Sequence, residues 1–229
     1  MTTSFFKFLF FGICLVFISF PMRAQDAFSV FLEPEISINW DRPNRWSFNF
    51  AFGNRDILHE RQETQFSVQH LELTHFTSYE VGFYGKLSLG LRYRFREMFD
   101  NANHNEVRII QQYARERSFN RVAVAHRFRL EERFRDRTTF RNRYRFSVEF
   151  PLNGDRVNRN EFFLVTETEA LWSLGKQEKP SLEQRFGVSL GRAISKDAKL
   201  ELGTEYRLND YMKETAGELF ISTQLSISI

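Results

Sequence analysis

Arg121 to Phe150 reads RVAVAHRFRLEERFRDRTTFRNRYRFSVEF, with arginine and hydrophobic residues alternating almost one for one. Side chains share a face at every second residue only along a β-strand, so the stretch is two strands of a hairpin. On the first, Val122, Val124, Phe128, Leu130 and Phe134 share a face, with Arg121, Arg127, Arg129, Arg133 and Arg135 on the other. On the second, Phe140, Tyr144, Phe146, Val148 and Phe150 oppose Arg141, Arg143, Arg145 and Glu149. A soluble sheet buries its apolar face and wets the charged one. A membrane barrel reverses this, with lipid on the apolar side and a polar interior. The remaining chain chooses between them.

Working outward, the first residues stand apart from the alternation. Lys7 precedes an apolar run from Phe8 to Phe20, followed by Pro21-Met22-Arg23-Ala24-Gln25. That run is too short for a spanning helix and has the layout of a secretory signal. The expected division is therefore a signal peptide over residues 1–24 and one β-barrel domain over 25–229. Cys14 lies in the leader, so the exported chain would carry no disulfide. Losing Lys7 and Arg23 reduces Lys+Arg from 32 to 30, against 29 Asp+Glu. A near-neutral mature chain gives the basic pI no weight as a sign of nucleic acid.

The same period recurs along the chain. Phe28 to Trp40 alternates, with Pro34 marking a bulge or edge, and Trp46, Phe48, Phe50 and Phe52 form the outer face of a second strand. Asn54 to Glu63 reads as a polar loop. In the third strand Phe66 and Val68 give way to Leu71 and Leu73, a change of phase that predicts a β-bulge near Gln69-His70. Leu87, Leu89, Leu91, Tyr93 and Phe95 oppose Ser88, Gly90, Arg92, Arg94 and Arg96. A fifth strand follows from Glu106 to Arg117. After the opening hairpin come strands around Phe162–Trp172, Phe186–Leu190, Leu200–Leu208 and Leu219–Ile229. Eleven strands can be read. Bacterial single-chain barrels have even numbers, so the expectation is an all-β, antiparallel up-and-down transmembrane β-barrel of 10–12 strands. Trp40, Trp46 and Trp172 fall at strand ends, where aromatic girdles belong.

Parity constrains the hairpin. Odd-numbered arginines occupy one face of both strands, so paired residue numbers sum to an even value. A three-residue loop at Asp136-Arg137-Thr138 places Glu131 opposite Arg143, Leu130 opposite Tyr144 and Phe128 opposite Phe146. It also pairs the two polar exceptions of the outer face, Glu132 and Asn142, near the tip. Inward faces then bring Arg92, Arg94, Arg127, Arg129, Glu131, Arg133, Arg141, Arg143 and Arg145 together with Glu167, Glu169, Glu201 and Glu205 as a candidate lumen charge network. Cross-strand arginine pairs, Arg129–Arg145 and Arg133–Arg141, repel unless an anion intervenes, and a closed barrel carries the acidic strands across the lumen to them. Gly187, Ser189 and Gly191 leave room for long guanidiniums. The expected interior is narrow and crossed by Arg–Glu pairs.

Catalytic chemistry finds no support. There is no Gly-rich phosphate loop and no metal spacing among His59, His70, His75, His104 and His126, which read as interface or loop histidines. A Ser–His pair on one strand face, as lipid hydrolysis requires, is missing beside His75 and His126. Stacking of single-stranded nucleic acid needs cations and aromatics on one face; here they are on opposite faces.

At His126-Arg127-Phe128-Arg129-Leu130-Glu131-Glu132-Arg133-Phe134 the chain resembles the domain of unknown function 2490 family. Arg141-Asn142-Arg143-Tyr144-Arg145 and Gln184-Arg185 are similar to its pattern too. The resemblance implies a small outer-membrane barrel of Gram-negative bacteria and no known activity. Together these readings predict a non-enzymatic outer-membrane barrel: a channel or binding protein for small anionic solutes, or a structural envelope protein. A lipid-modifying barrel enzyme and a soluble periplasmic β-protein are the alternatives. The expected partners are outer-membrane lipid, lipopolysaccharide and the barrel-assembly machinery, with no cofactor and no nucleic acid.

Overall fold

A computed structural model of the chain describes residues 28–176, 179–211 and 216–229; the expected signal peptide lies outside them. The alternation becomes strand wherever it was read: β1 (Ser29–Asp41), β2 (Trp46–Glu60), β3 (Glu63–Val81), β4 (Gly85–Phe95), β5 (Glu106–Phe119), β6 (Val122–Phe134), β7 (Thr139–Pro151), β8 (Phe162–Gly175), β9 (Ser181–Ala193), β10 (Ala198–Asn209) and β11 (Ala216–Ser228). Neighbours in sequence pair antiparallel, and the sheet closes on itself between β1 and β11. A closed barrel leaves no strand edge unpaired.

Among the described residues the strand number is eleven, so the inference of an even count is corrected. With an odd number the last strand runs in the same direction as the first, and β1 pairs with β11 in parallel from Ser29↔Glu218 to Asn39↔Ser228. Parallel pairing preserves the inward and outward faces, so Phe31 meets Phe220 and Glu35 meets Gln224 inside. Pro34 sits within this seam strand without a bulge. Its pairing with β2 is interrupted between Leu32↔Asp56 and Glu35↔Gly53, where proline has no N–H to contribute.

The barrel has two mouths. The upper one carries the start of β1 and the β2–β3, β4–β5, β6–β7, β8–β9 and β10–β11 connections. The lower one carries the other connections and the end of β11.

Two local expectations change. Residues 54–63 are not a loop: β2 and β3 continue through them to a two-residue turn at Arg61 and Gln62, which have φ of 52° and 66°. Such values at both central residues suit the tight hairpin turns that match strand twist. The segment looked like a loop because shifts at Arg55/Asp56 and Ile57/His59 break its alternation. The first shift pairs Arg55 with His70 and Asp56 with Val68, leaving Gln69 as the extra residue, at the expected bulge. The β6–β7 register also moves by one step on each strand. Arg133 pairs with Thr139, Leu130 with Asn142, Glu132 with Phe140 and Phe128 with Tyr144. Glu132 and Asn142 are therefore not partners, although both stay on the outer face near the upper end of the hairpin. The even sum survives because a two-residue change in loop length preserves parity.

The outer surface is apolar. Leu89 and Phe128 are 60% and 53% exposed, and Phe50, Leu91 and Leu202 are similar. Aromatic rings collect toward the ends: Trp46 packs on Tyr79 at 4.9 Å and Trp40 on Phe48 at 5.8 Å near the lower mouth. Trp172 lies toward the upper mouth, three residues before β8 ends.

Candidate functional site

The lumen is built from side chains two residues apart on each strand. Consecutive same-face positions are about 7 Å apart, within reach of an arginine bending back along its own strand. Three strands use this spacing as Glu-x-Arg: Arg108 Nε donates to Glu106 at 2.5 Å, Arg185 Nε to Glu183 at 2.6 Å and Arg207 Nε to Glu205 at 2.6 Å. The repeat at 106/108, 183/185 and 205/207 was visible in the sequence and gave a signal for Glu106 and Glu183 that the cross-lumen reading overlooked.

Arg143 is the centre of the expected network. It donates through Nη1 to Glu131 at 2.7 Å and through Nη2 to Glu169 at 2.5 Å. Both carboxylates are 1% exposed. Glu169 also receives Arg127 at 3.0 Å and Arg145 at 3.1 Å, with Arg185 at 3.8 Å. Glu131 has Arg108 at 3.5 Å and Arg129 at 3.6 Å beside it. These carboxylates separate the like-charged cross-strand pairs, which are Arg127↔Arg145 and Arg129↔Arg143 rather than the pairs expected from the earlier register.

The other expected residues divide by partner. Arg92 and Arg94 both hold Glu72, at 2.7 and 2.5 Å. Arg133 reaches Glu106 at 2.9 Å. Arg145 donates to Glu167 at 2.6 Å and approaches Glu205 at 3.8 Å, a link that spans β7 to β10. Arg129 and Arg141 bind neutral acceptors, Gln112 Oε1 at 2.6 Å and Ser173 Oγ at 2.9 Å. Glu201 lines the lumen but has no ion pair with an arginine among the described residues.

Aromatic rings fill the space beside these charges. Phe31, Phe163 and Phe220 are buried, and Arg207 lies 3.4 Å over the Phe220 ring. Gly191 leaves room for Phe163 rather than for a guanidinium: a Cβ there would come within 2.1 Å of that ring. Gly187 similarly accommodates Glu167. His70 is neither at an interface nor in a loop. The Gln69 bulge turns it inward with Glu72, 3.9 Å away, and its Nδ1 has no partner among the described residues.

A cavity of about 570 Å³ remains. Arg92, Arg127, Arg129 and Arg145 form one side, and Ala51, Gly53, Ser189 and Ser222 line the other with Glu35 and Glu201. Thirteen guanidiniums and eight carboxylates line it. Adding the buried Asp56, Glu106, Glu131 and Glu169 still leaves one positive charge in excess, which favours an anion inside. Among the described residues no group of three or more His, Cys, Asp or Glu is placed to hold a metal ion.

A family model described as "Protein of unknown function (DUF2490)" matches residues 17–217. No curated protein matches the chain.

Proposed function

We propose that this chain, which belongs to the DUF2490 family, is an exported outer-membrane β-barrel whose narrow lumen receives small anionic solutes. The observation that carries the reading is the segregation of faces. Phenylalanine and leucine are half-exposed around the outside, while the arginines and glutamates of the same strands are buried within. In water that arrangement would expose far more contiguous apolar surface than a soluble protein tolerates; in lipid it is the low-energy one. Arginines stacked on outer aromatic rings at the lower mouth add support: Arg42 lies 4.2 Å over Trp40, Arg117 4.8 Å over Phe119 and Arg192 5.3 Å over Phe162. Such pairs suit an interface where rings sit at headgroup level.

The solute class follows from the charge excess and from Arg129 and Arg141, whose hydrogen bonds go to neutral acceptors and whose nearest carboxylates stand 3.6 and 3.9 Å away. The Arg143 bridge narrows the lumen, so conductance through it is small. Fractionation tests location: the barrel requires detergent for extraction and migrates differently on gels with and without heating. Extraction without detergent would place the chain among soluble β-proteins. Planar-bilayer recording tests the lumen. Small, anion-selective currents should grow in Arg143→Ala and Glu169→Ala, and a large conductance indifferent to both would refute the narrow charged lumen.

A further inference from the structure

A second hollow, of about 200 Å³, opens at the upper mouth. Its cations come from four pieces of chain: Arg133 on β6, Arg135 and Arg137 in the β6–β7 loop, Arg141 on β7 and Lys179 between β8 and β9. Among the described residues Glu106 is the one carboxylate in that lining. It is 1% exposed and already accepts from Arg108 at 2.5 Å and Arg133 at 2.9 Å, so it has little left to offer the other cations. Arg137 and Lys179 have no ion pair among the described residues. Arg135 has only Asp136 of its own loop, at 3.8 Å. Arg141 gives its Nε to Ser173 Oγ, and its nearest carboxylate, Glu183, is 3.9 Å away. Arg133 keeps a buried Nε with no hydrogen-bond partner among the described residues.

Five cations converging on one small hollow repel one another unless an anion sits between them. The remaining lining, Thr139, Ser173 and Ser181 with Leu174, adds hydroxyl donors and little apolar surface. Guanidinium forks, an ammonium and hydroxyls with no free carboxylate are the donor set of a multiply charged oxyanion. One fork satisfies a carboxylate. Five cations suit a phosphoryl dianion.

We propose that this hollow is a phosphoryl-binding site at the upper mouth, taking inorganic phosphate or a phosphomonoester carried by a soluble molecule or a lipid. It goes beyond the anion-receiving lumen and does not require the lumen to conduct. Arg133 and Arg141 line both spaces, so they form the boundary between them.

The test uses the purified full barrel in zwitterionic detergent at low salt, titrated with inorganic phosphate by calorimetry. A parallel arm uses vesicles of phosphatidylcholine with and without phosphatidic acid, reading protection of the β6–β7 loop from protease. Saturable phosphate binding that weakens roughly tenfold or more in an Arg137→Gln, Lys179→Gln double variant supports the site with a soluble ligand. Protection by phosphatidic acid alone, lost in the same variant, supports it with a lipid ligand. Arg129→Gln alters the lumen alone: phosphate binding lost in the double variant but kept in Arg129→Gln belongs to the hollow, whereas binding lost in Arg129→Gln but kept in the double variant belongs to the lumen and counts against this site, so failure here is distinct from failure of the conductance test. Retained heat-modifiable migration shows that each variant is folded. Binding and protection unchanged in the double variant, or absent in the wild type, would overturn the proposal.

Discussion

Phe31 and Phe220 stack inside the barrel with ring centroids 4.8 Å apart and planes 15° from parallel, directly across the seam that closes it. Arg55 and Arg207 lie over the Phe220 ring at 4.8 and 3.4 Å, and both also bind Glu33. The one parallel pairing in the sheet is thereby clasped by an aromatic stack and a carboxylate with two guanidiniums. Phe220→Ala removes a fully buried ring and should cost about 3–5 kcal/mol, measured by urea unfolding in micelles. Phe128→Ala, on the outer face, should cost much less. Equal losses would mean that the seam depends on backbone pairing alone.

An odd strand number has a topological consequence. β1 begins at the upper mouth and β11 ends at the lower one. If the barrel spans the membrane, tags fused before Ser29 and after Ile229 must be reached by protease or antibody from opposite sides. Both tags accessible from the same side would rule out an eleven-stranded spanning barrel.

Arg143 should be the costliest arginine to lose. It bridges two carboxylates that are each 1% exposed, and breaking a buried pair from one side costs about 3–5 kcal/mol. Arg143→Lys recovers little, because one ammonium cannot reproduce a fork that reaches both glutamates. Arg137→Ala at the exposed loop should change stability by less than about 1 kcal/mol. Chemical denaturation of the three variants ranks them, and a harmless Arg143→Ala would show that Arg108, Arg127, Arg129 and Arg145 hold Glu131 and Glu169 unaided.

Gly191→Ala tests the packing of the lumen wall. The new methyl would meet the Phe163 ring, and overpacking of this kind costs about 1–3 kcal/mol. Adding Phe163→Leu should return part of that loss. A double variant no more stable than Gly191→Ala would argue that backbone strain, rather than the ring, resists the substitution.

His104 ties two upper loops together, with Nδ1 2.9 Å from Glu97 Oε1 and Nε2 3.2 Å from Asp136 Oδ1. Its hydrogen bond with Glu97, then the charge of Asp136, lift its pKa above the ordinary 6.5. The same bond holds Glu97 below its ordinary 4.5. A raised histidine stabilises fully below its unfolded pKa and loses that contribution as pH rises through the folded value. A lowered glutamate contributes above its unfolded pKa and loses it as pH falls through the folded value. The tie is therefore strongest between about pH 4.5 and 6.5 and loosens on the alkaline side. An NMR titration of His104 should show a midpoint above the ordinary value that falls in Glu97→Gln and Asp136→Asn; an ordinary midpoint insensitive to both would remove the tie.

How far the chain could be read without its fold is clearest in β6 and β7. Arg127-Phe128-Arg129-Leu130 leaves no choice of faces, because adjacent side chains on a strand must point oppositely. The Gln69 bulge was legible for the same reason, as a slip of phase. The register was not, since two pairings one step apart on each strand satisfy the same parity and only the folded hairpin, with Arg133 opposite Thr139, separates them. Residues 54–63 were misread because two irregularities in so short a span erase the period that marks a strand.

The amino-acid sequence by itself determined a β-fold with one apolar and one Arg/Glu-rich face on nearly every strand, since period-two chemistry is local. Tertiary structure decided the parallel seam, because alternation is blind to the direction of a neighbouring strand. It also decided which carboxylate each arginine reaches. Glu131 faces Arg141 along the ladder yet binds Arg143, and that choice is made only when the closed wall crowds long side chains into one lumen.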